Sequence, residues 1–155
     1  EVHIIPVSIS YEYDACDVLK AEELFEVERS GTFTKTEGSD IHSIVTGMIG
    51  YKGHVHVAFG KELSIATDDP EIIAEEIDRQ ILENYELRDI NFLALERLIQ
   101  DGMIPMHRLE EGARSHEILS DSRKKFAKRL KHVDPKLHKH FLFSYANPVL
   151  IKCQT

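Results

Sequence analysis

The chain has 155 residues, a length that suits one domain, and its 42% hydrophobic and 30% charged residues are typical of a globular protein. Its apolar runs are too short to cross a membrane. The two cysteines, Cys16 and Cys153, are too few for a disulfide framework and form no Cys-x-x-Cys motif, which favours reduced thiols in a cytoplasmic compartment.

Charge is distributed unevenly along the chain. Residues 1–121 contain 10 Lys/Arg and 26 Asp/Glu, a net charge of −16, whereas residues 122–155 contain nine and one, a net charge of +8. An acidic body with a basic tail indicates one of two arrangements: the tail docks on the body, or it faces phosphate groups.

Two strands and two helices are predicted in the first part of the chain. In chain order they are a strand over residues 2–10, helices over residues 18–27 and 39–49, and a strand over residues 54–59. Pro6 implies an edge, a bulge or an end in the first strand. The apolar character of that strand is typical of a parallel sheet with neighbours on both sides, so we expect the chain to be the C-terminal part of something longer.

The second part of the chain is predicted to be helical. Helices are expected over residues 71–85, 90–100, 115–132 and 137–145. The first of them has a strong start signal, because the acidic cap Asp69 is followed by Pro70 in the first turn.

The fold class that follows is α/β. We expect a partial sheet layer with flanking helices over residues 1–63, followed by a mostly helical C-terminal extension. Residues 1–66 and 67–155 are expected to form one compact unit. Sheet edges left open by missing strands would allow a homodimer.

Three segments of the sequence share a pattern with a known family. They are HIIPVSISYE at residues 3–12, KGHVHVAFGK at residues 52–61 and YANPV at residues 145–149. In this order they resemble conserved segments of the bacterial branch of the glycerol-3-phosphate and 1-acylglycerol-3-phosphate acyltransferase superfamily. The resemblance implies transfer of a fatty acyl group from acyl-CoA or acyl-carrier protein to glycerol 3-phosphate or lysophosphatidate. It also implies a cytoplasmic protein peripheral to the inner face of the cytoplasmic membrane, with no cofactor.

The family's catalytic blocks precede the P-V-S-I strand. They are a His and an Asp separated by four residues, which act in general-base catalysis, and an Arg in E-G-x-R-S that binds the substrate phosphate. By the resemblance, this chain is a C-terminal portion that contains no catalytic residue and is inactive alone. Its partner is the missing N-terminal portion of the same protein.

Four residues around the first strand are candidate substrate-binding residues. The resemblance suggests that Pro6 and Ser8 line the acyl or glycerophosphate pocket; the alternative is a plain core strand. Tyr11 and Glu12 follow at the C-terminal end of the strand, where open α/β sheets place their ligands.

Residues 111–121, EGARSHEILSD, contain look-alikes of both catalytic blocks. E-G-x-R-S is followed directly by His116, with Asp121 after four further residues. These patterns overlap and come after the P-V-S-I strand in reversed order, and nine histidines make a chance match unsurprising. We interpret the stretch as the start of a tail helix with Ser115 as its N-cap.

The tail helix is basic and amphipathic. Phe126, Leu130 and Val133 form an apolar stripe. Six cations surround it and are candidate membrane- or anion-binding residues: Arg123, Lys124, Lys125, Lys128, Arg129 and Lys131. Such a helix can lie on anionic lipid, or its stripe can pack on the body while the cations pair with acidic groups there. The acidic remainder of the chain argues against nucleic acid.

Metal binding is not predicted. His54 and His56 share one face of a strand, but no third ligand is clearly placed. The competing function for the whole chain is a non-catalytic module that docks on a protein or a membrane.

Overall fold

The computed structural model describes residues 3–64, 68–106 and 116–152. The elements in chain order are β1 (Val7–Tyr11), α1 (Asp17–Ser30), α2 (Ser39–Ile49), β2 (Val55–Phe59), α3 (Pro70–Asn84), α4 (Asp89–Gln100), α5 (Ser120–Lys131) and α6 (His138–Lys152). A 3-10 turn at Pro135–Leu137 precedes α6. The predicted mixture of strands and helices with a helical C-terminal part is confirmed.

Local signals explain several of the helix ends. The carboxylate of Asp69 accepts the N–H of Glu71, and Pro70 occupies the first helical position of α3, as predicted. Helix α1 ends at Gly31, whose φ of 79° is in the left-handed region that glycine tolerates. Helix α6 passes through Pro148 to Lys152, so the predicted end at residue 145 is wrong.

The sheet has two antiparallel strands. Val7 pairs with Phe59, Ile9 with Val57 and Tyr11 with Val55. The expectation of a parallel-type strand with neighbours on both sides is therefore wrong for the described residues. The strand also begins after Pro6, which has no N–H to donate to a ladder.

The burial pattern of β1 is the reverse of the usual one, in which apolar side chains are buried and polar side chains are exposed. The small polar residues Ser8 and Ser10 are buried, whereas Val7, Ile9 and Tyr11 lie on the exposed face. Helix α3 covers the polar face, where the Ser8 hydroxyl donates to the carbonyl of Ile81 at 3.1 Å. The apolar face of the sheet is uncovered by the described residues.

The hydrophobic core lies among the helices. Helix α6 packs against α4 and α1, and α5 packs against α4. The largest apolar side chains that are fully buried there are Leu98, Leu137, Phe141, Leu142 and Val149. Each contributes about 1.5–3 kcal/mol by leaving water. Among the described residues, none of the helices is long and apolar enough to span a membrane.

Candidate anion-binding site

The predicted substrate-binding residues Pro6 and Ser8 are buried in the fold. The hydroxyl of Ser8 is bonded to α3, and the carbonyl of Pro6 accepts the N–H of Gly60 at 2.8 Å. Tyr11 lies on the opposite, exposed face of β1 from Ser8. The structure therefore does not bring these predicted residues together on one face of the sheet.

Glu12 holds the end of β1 to the start of β2. Its carboxylate accepts the backbone N–H of His54 at 3.0 Å and contacts the His54 Nδ1 at 2.7 Å. Burial alone would raise the pKa of Glu12, but the hydrogen bonds from His54 outweigh burial and lower that pKa. Gly53, which precedes His54, has a φ of 63°, and a Cβ at this position would lie 2.5 Å from the Glu12 carboxylate. Glu12 thus has a structural role in this turn.

Tyr13, the residue after Glu12, lines a pocket that was not predicted from the sequence. The Tyr13 ring stacks on that of Tyr51 with 5.8 Å between centroids. The pocket has a volume of about 510 Å³. Its lining comprises Tyr13, Val18, Tyr51, Lys125, Lys128, Arg129, His132 and Val133.

Three elements bring these residues together. Tyr13 precedes α1, Tyr51 follows α2, and the cations project from α5. The apolar stripe of α5 explains its placement, because Phe126 and Leu130 are buried in the core and the cations on the adjoining face line the pocket.

The predicted cations of α5 fall into two groups. Arg123 pairs with Glu96 at 2.6 Å and Arg129 with Asp17 at 2.5 Å, both on the body of the protein, while Lys125 pairs with Asp121 of its own helix at 2.7 Å. The other group forms no ion pair with any described residue; it comprises Lys124, Lys128 and Lys131. Of these, Lys128 lines the pocket.

The pocket has the chemistry of an anion site with an aromatic wall. Lys128 supplies an ammonium that forms no ion pair within the described part of the chain. The Nδ1–H of His132 donates to the carbonyl of Lys128 at 2.7 Å, which leaves Nε2 for a ligand. The Arg129 guanidinium lies 5.2 Å from the centroid of the Tyr13 ring, a cation–π geometry. Burial and the charge of the nearby Glu12 raise the pKa of Tyr13 to about 12, so its hydroxyl is neutral, and its hydrogen bond goes to the Glu12 carboxylate.

His116 does not pair with Asp121. The Nε2 of His116 lies 2.9 Å from Oδ1 of Asp89, and its ring stacks on that of Phe92 at 3.9 Å. Asp121 is instead the partner of Lys125. The E-G-x-R-S look-alike at residues 111–115 lies outside the described residues.

The start of the tail helix also differs from the prediction. Helix α5 begins at Ser120, not near Ser115, and the N–H of Leu119 donates to Asp89 at 3.1 Å. A carboxylate from α4 thus satisfies a backbone donor at the start of α5. Ser115 itself lies outside the described residues.

Three further histidines among the described residues each contact a carboxylate. His54 meets Glu12, His56 meets Glu86 at 2.8 Å, and His140 meets Glu28 at 2.8 Å. Within the part of the chain that the structure describes, no three His, Cys, Asp or Glu side chains are grouped as metal ligands.

Comparisons with protein-family models, with curated proteins and with solved structures give no match. The acyltransferase resemblance therefore depends on the three sequence segments alone. In the structure two of them form the paired strands β1 and β2. The third contributes Tyr145, whose hydroxyl accepts the N–H of Asp14 at 2.9 Å, three residues after β1.

Proposed function

We propose that this chain is the C-terminal portion of an acyltransferase. The enzyme would transfer a fatty acyl group from acyl-CoA or acyl-carrier protein to glycerol 3-phosphate or lysophosphatidate. The observation that carries the proposal is the exposed apolar face of the sheet, taken together with the three segments that resemble the family. The chemistry comes from the family resemblance, and the exposed face supports the idea of a portion of a larger sheet.

The exposed face consists of matched apolar pairs. Ile9 lies opposite Val57, and Phe59, with 74% of its surface exposed, lies opposite Val7. Cross-strand pairs of this kind stabilise a sheet when they are buried, and an uncovered apolar patch marks an interaction site. In the proposal, the N-terminal portion of the same enzyme covers this face.

The proposed role of the chain within the enzyme is structural. Two of the three family segments pair as β1 and β2, and Tyr145 of the third bonds to Asp14 and Asp17, which follow the first segment in the chain. Ser8 and Ser10 fix β1 to the segment that ends α3, because Ser8 donates to the Ile81 carbonyl and Ser10 accepts the N–H of Glu86. The strand is therefore held rigidly from one side and presents its other side to a partner.

The test is an acyl-transfer assay on two proteins: the 155-residue chain, and the longer protein in which this sequence is the C-terminal part. Acyl-CoA or acyl-carrier protein is supplied with lysophosphatidate or glycerol 3-phosphate, and the acylated product is measured by mass spectrometry. We expect turnover by the longer protein and none by the chain. A longer protein without turnover on either acceptor, or turnover by the chain that His116→Ala abolishes, would overturn the proposal.

A matched pair of variants tests the role of the sheet face in the longer protein. Phe59→Glu places a charge on that face, whereas Leu119→Glu places one on a similarly exposed leucine outside the sheet, with 66% of its surface exposed. We expect Phe59→Glu to lower activity strongly and Leu119→Glu to leave it near the parent level. Equal effects would show that the face is not an internal contact.

A non-catalytic docking module is the second candidate function. It is favoured by helix α2, none of whose residues is buried although five of its eleven residues are large and apolar. Absence of the catalytic His and Asp from the longer protein would select this candidate.

A further inference from the structure

Helix α2 exposes its apolar residues to solvent. Asp40 is its only Asp, Glu, Lys or Arg, and Ile41, Met48 and Ile49 expose 69%, 75% and 81% of their surfaces. Soluble monomers rarely leave a large apolar helix face uncovered, and such surfaces bind proteins or membranes. The amino-acid sequence alone gives this helix an apolar stripe at helical spacing, and the fold leaves it without a core to face.

The end of α2 leads directly into the cationic pocket. Tyr51 follows Ile49 by two residues and lines the pocket beside Tyr13. The ammonium of Lys52 donates to the carbonyls of Gly50 at 3.0 Å and Met48 at 3.3 Å, which ties down the connection. An apolar helix, an exposed tyrosine and a cationic pocket therefore follow one another on the surface.

This order of groups matches the layers of a lipid surface better than it matches a protein partner. Apolar side chains of an interfacial helix enter the acyl boundary, tyrosines lie at the level of the headgroups, and cations meet the lipid phosphates. The charge distribution favours approach through α5, since residues 122–155 carry a net +8 whereas residues 1–121 carry a net −16, of which α2 contributes only Asp40. The basic face of α5 is the side that such a surface attracts.

We propose that α2 and the pocket form one docking surface for a membrane that contains anionic phospholipid. Ile41, Met48 and Ile49 enter the membrane interface, and the pocket binds a lipid phosphate through Lys128, with His132 beside it. This differs from the sequence-based hypothesis that α5 itself lies on lipid, because Phe126 and Leu130 of that helix are buried. The proposal does not depend on acyl transfer.

Liposome co-sedimentation of the 155-residue chain tests the proposal. Vesicles of phosphatidylcholine alone are compared with vesicles that also contain phosphatidate, at low and at high salt. We expect binding only to the phosphatidate vesicles, with loss at high salt. Sedimentation with neither kind of vesicle, or equally with both, would overturn the proposal.

The pocket is tested by two substitutions of equal charge on the same helix. Lys128 lines the pocket and Lys131 does not, and neither forms an ion pair with a described residue. We expect Lys128→Gln to weaken vesicle binding about fivefold or more, and Lys131→Gln by much less, since one cation near an anionic surface contributes about that factor. Equal losses in the two variants would show that α5 attracts the membrane through its overall charge, and would overturn the proposed role of the pocket.

The helix is tested by a double substitution with a control on the sheet. Met48→Ser with Ile49→Ser removes exposed apolar groups from α2, and Phe59→Ser with Val57→Ser removes them from the sheet face. We expect the first pair alone to abolish sedimentation, with circular dichroism unchanged in both. Loss with the sheet pair alone would assign the membrane contact to the sheet and overturn the role of α2.

A soluble headgroup distinguishes a site for a lipid phosphate from a site for a soluble phosphate compound. Glycerol 3-phosphate has the phosphomonoester but no acyl chain, so it is expected to displace the chain from vesicles only at high concentration. Binding of glycerol 3-phosphate in calorimetry as tight as the binding to vesicles would show a site for a soluble phosphate instead.

Discussion

The guanidinium of Arg129 on α5 reaches the carboxylate of Asp17 at the start of α1, with 2.9 Å between Nε and Oδ2. Asp17 is only 2% exposed. The hydroxyl of Tyr145 on α6 donates to the same carboxylate at 2.7 Å. One buried acid therefore connects three helices, and a candidate membrane- or anion-binding cation pairs with an acid of the body, the alternative that the sequence left open.

Removal of Arg129 should be costly. In Arg129→Met the Asp17 carboxylate stays buried without its ionic partner, so we expect the free energy of unfolding to fall by about 3 kcal/mol. Urea denaturation followed by circular dichroism measures the change. Arg123→Met is the control on the same helix, because its ion pair with Glu96 is exposed and should contribute less than about 1 kcal/mol. Equal losses in the two variants would contradict the structural role of Arg129.

The elements that the sequence predicted well are those with local signals. The cap at Asp69 acts within one turn of its helix, so it can be read from neighbouring residues. Helix α2 has the predicted ends, residues 39 and 49. The partner of β1 was harder to predict, because an apolar strand run is compatible with parallel or antiparallel neighbours.

The sequence-based predictions failed where contacts between residues far apart in the chain determine the structure. Helix α5 begins at Ser120, where the donor at its start is satisfied by Asp89, 30 residues away from Leu119. The pocket joins Tyr13, Tyr51 and α5, which no spacing in the sequence connects. The six tail cations were recognisable from composition, but which of them face acids on the body depends on the packing of α5 and could not be read from the pattern.

The inverted burial of β1 gives a second prediction. Ser10 is buried and accepts the N–H of Glu86 at 2.9 Å, so Ser10→Ala leaves that donor without its partner. We expect a loss of about 1–3 kcal/mol in the free energy of unfolding. Ile9→Thr, on the exposed face and still β-branched, should change it by less than about 0.5 kcal/mol.

The same pair of variants separates folding from association. Ile9→Thr removes part of the apolar face, so it should reduce self-association measured by sedimentation velocity, whereas Ser10→Ala should not. A large loss of stability in Ile9→Thr would instead show that this face is packed within the isolated chain.

The acid response of Asp89 gives a third prediction. Burial alone would raise its pKa, but hydrogen bonds from Ser122, His116 and the Leu119 N–H outweigh burial and hold the pKa below the ordinary value of 3.8. A carboxyl with a lowered folded-state pKa stabilises the protein above its unfolded pKa, and that contribution is lost as the pH falls through the folded value. The ionised Asp89 therefore stabilises the junction of α4 and α5 at about pH 5 and ceases to do so in stronger acid.

Asp89→Asn isolates this charge, since the amide keeps an oxygen for the Leu119 N–H. We expect the variant to be less stable than the parent at about pH 5, and the difference in free energy of unfolding to shrink as the pH falls below 3.8. Urea denaturation at a series of pH values measures it. Asp121→Asn is the matched control, because Asp121 is exposed and its pKa is lowered mainly by Lys125, with a smaller effect of Lys124, so the effect of the substitution should be much smaller. A difference for Asp89→Asn that stays constant into strong acid would show that the lost contact is steric or hydrogen-bonded and not ionic.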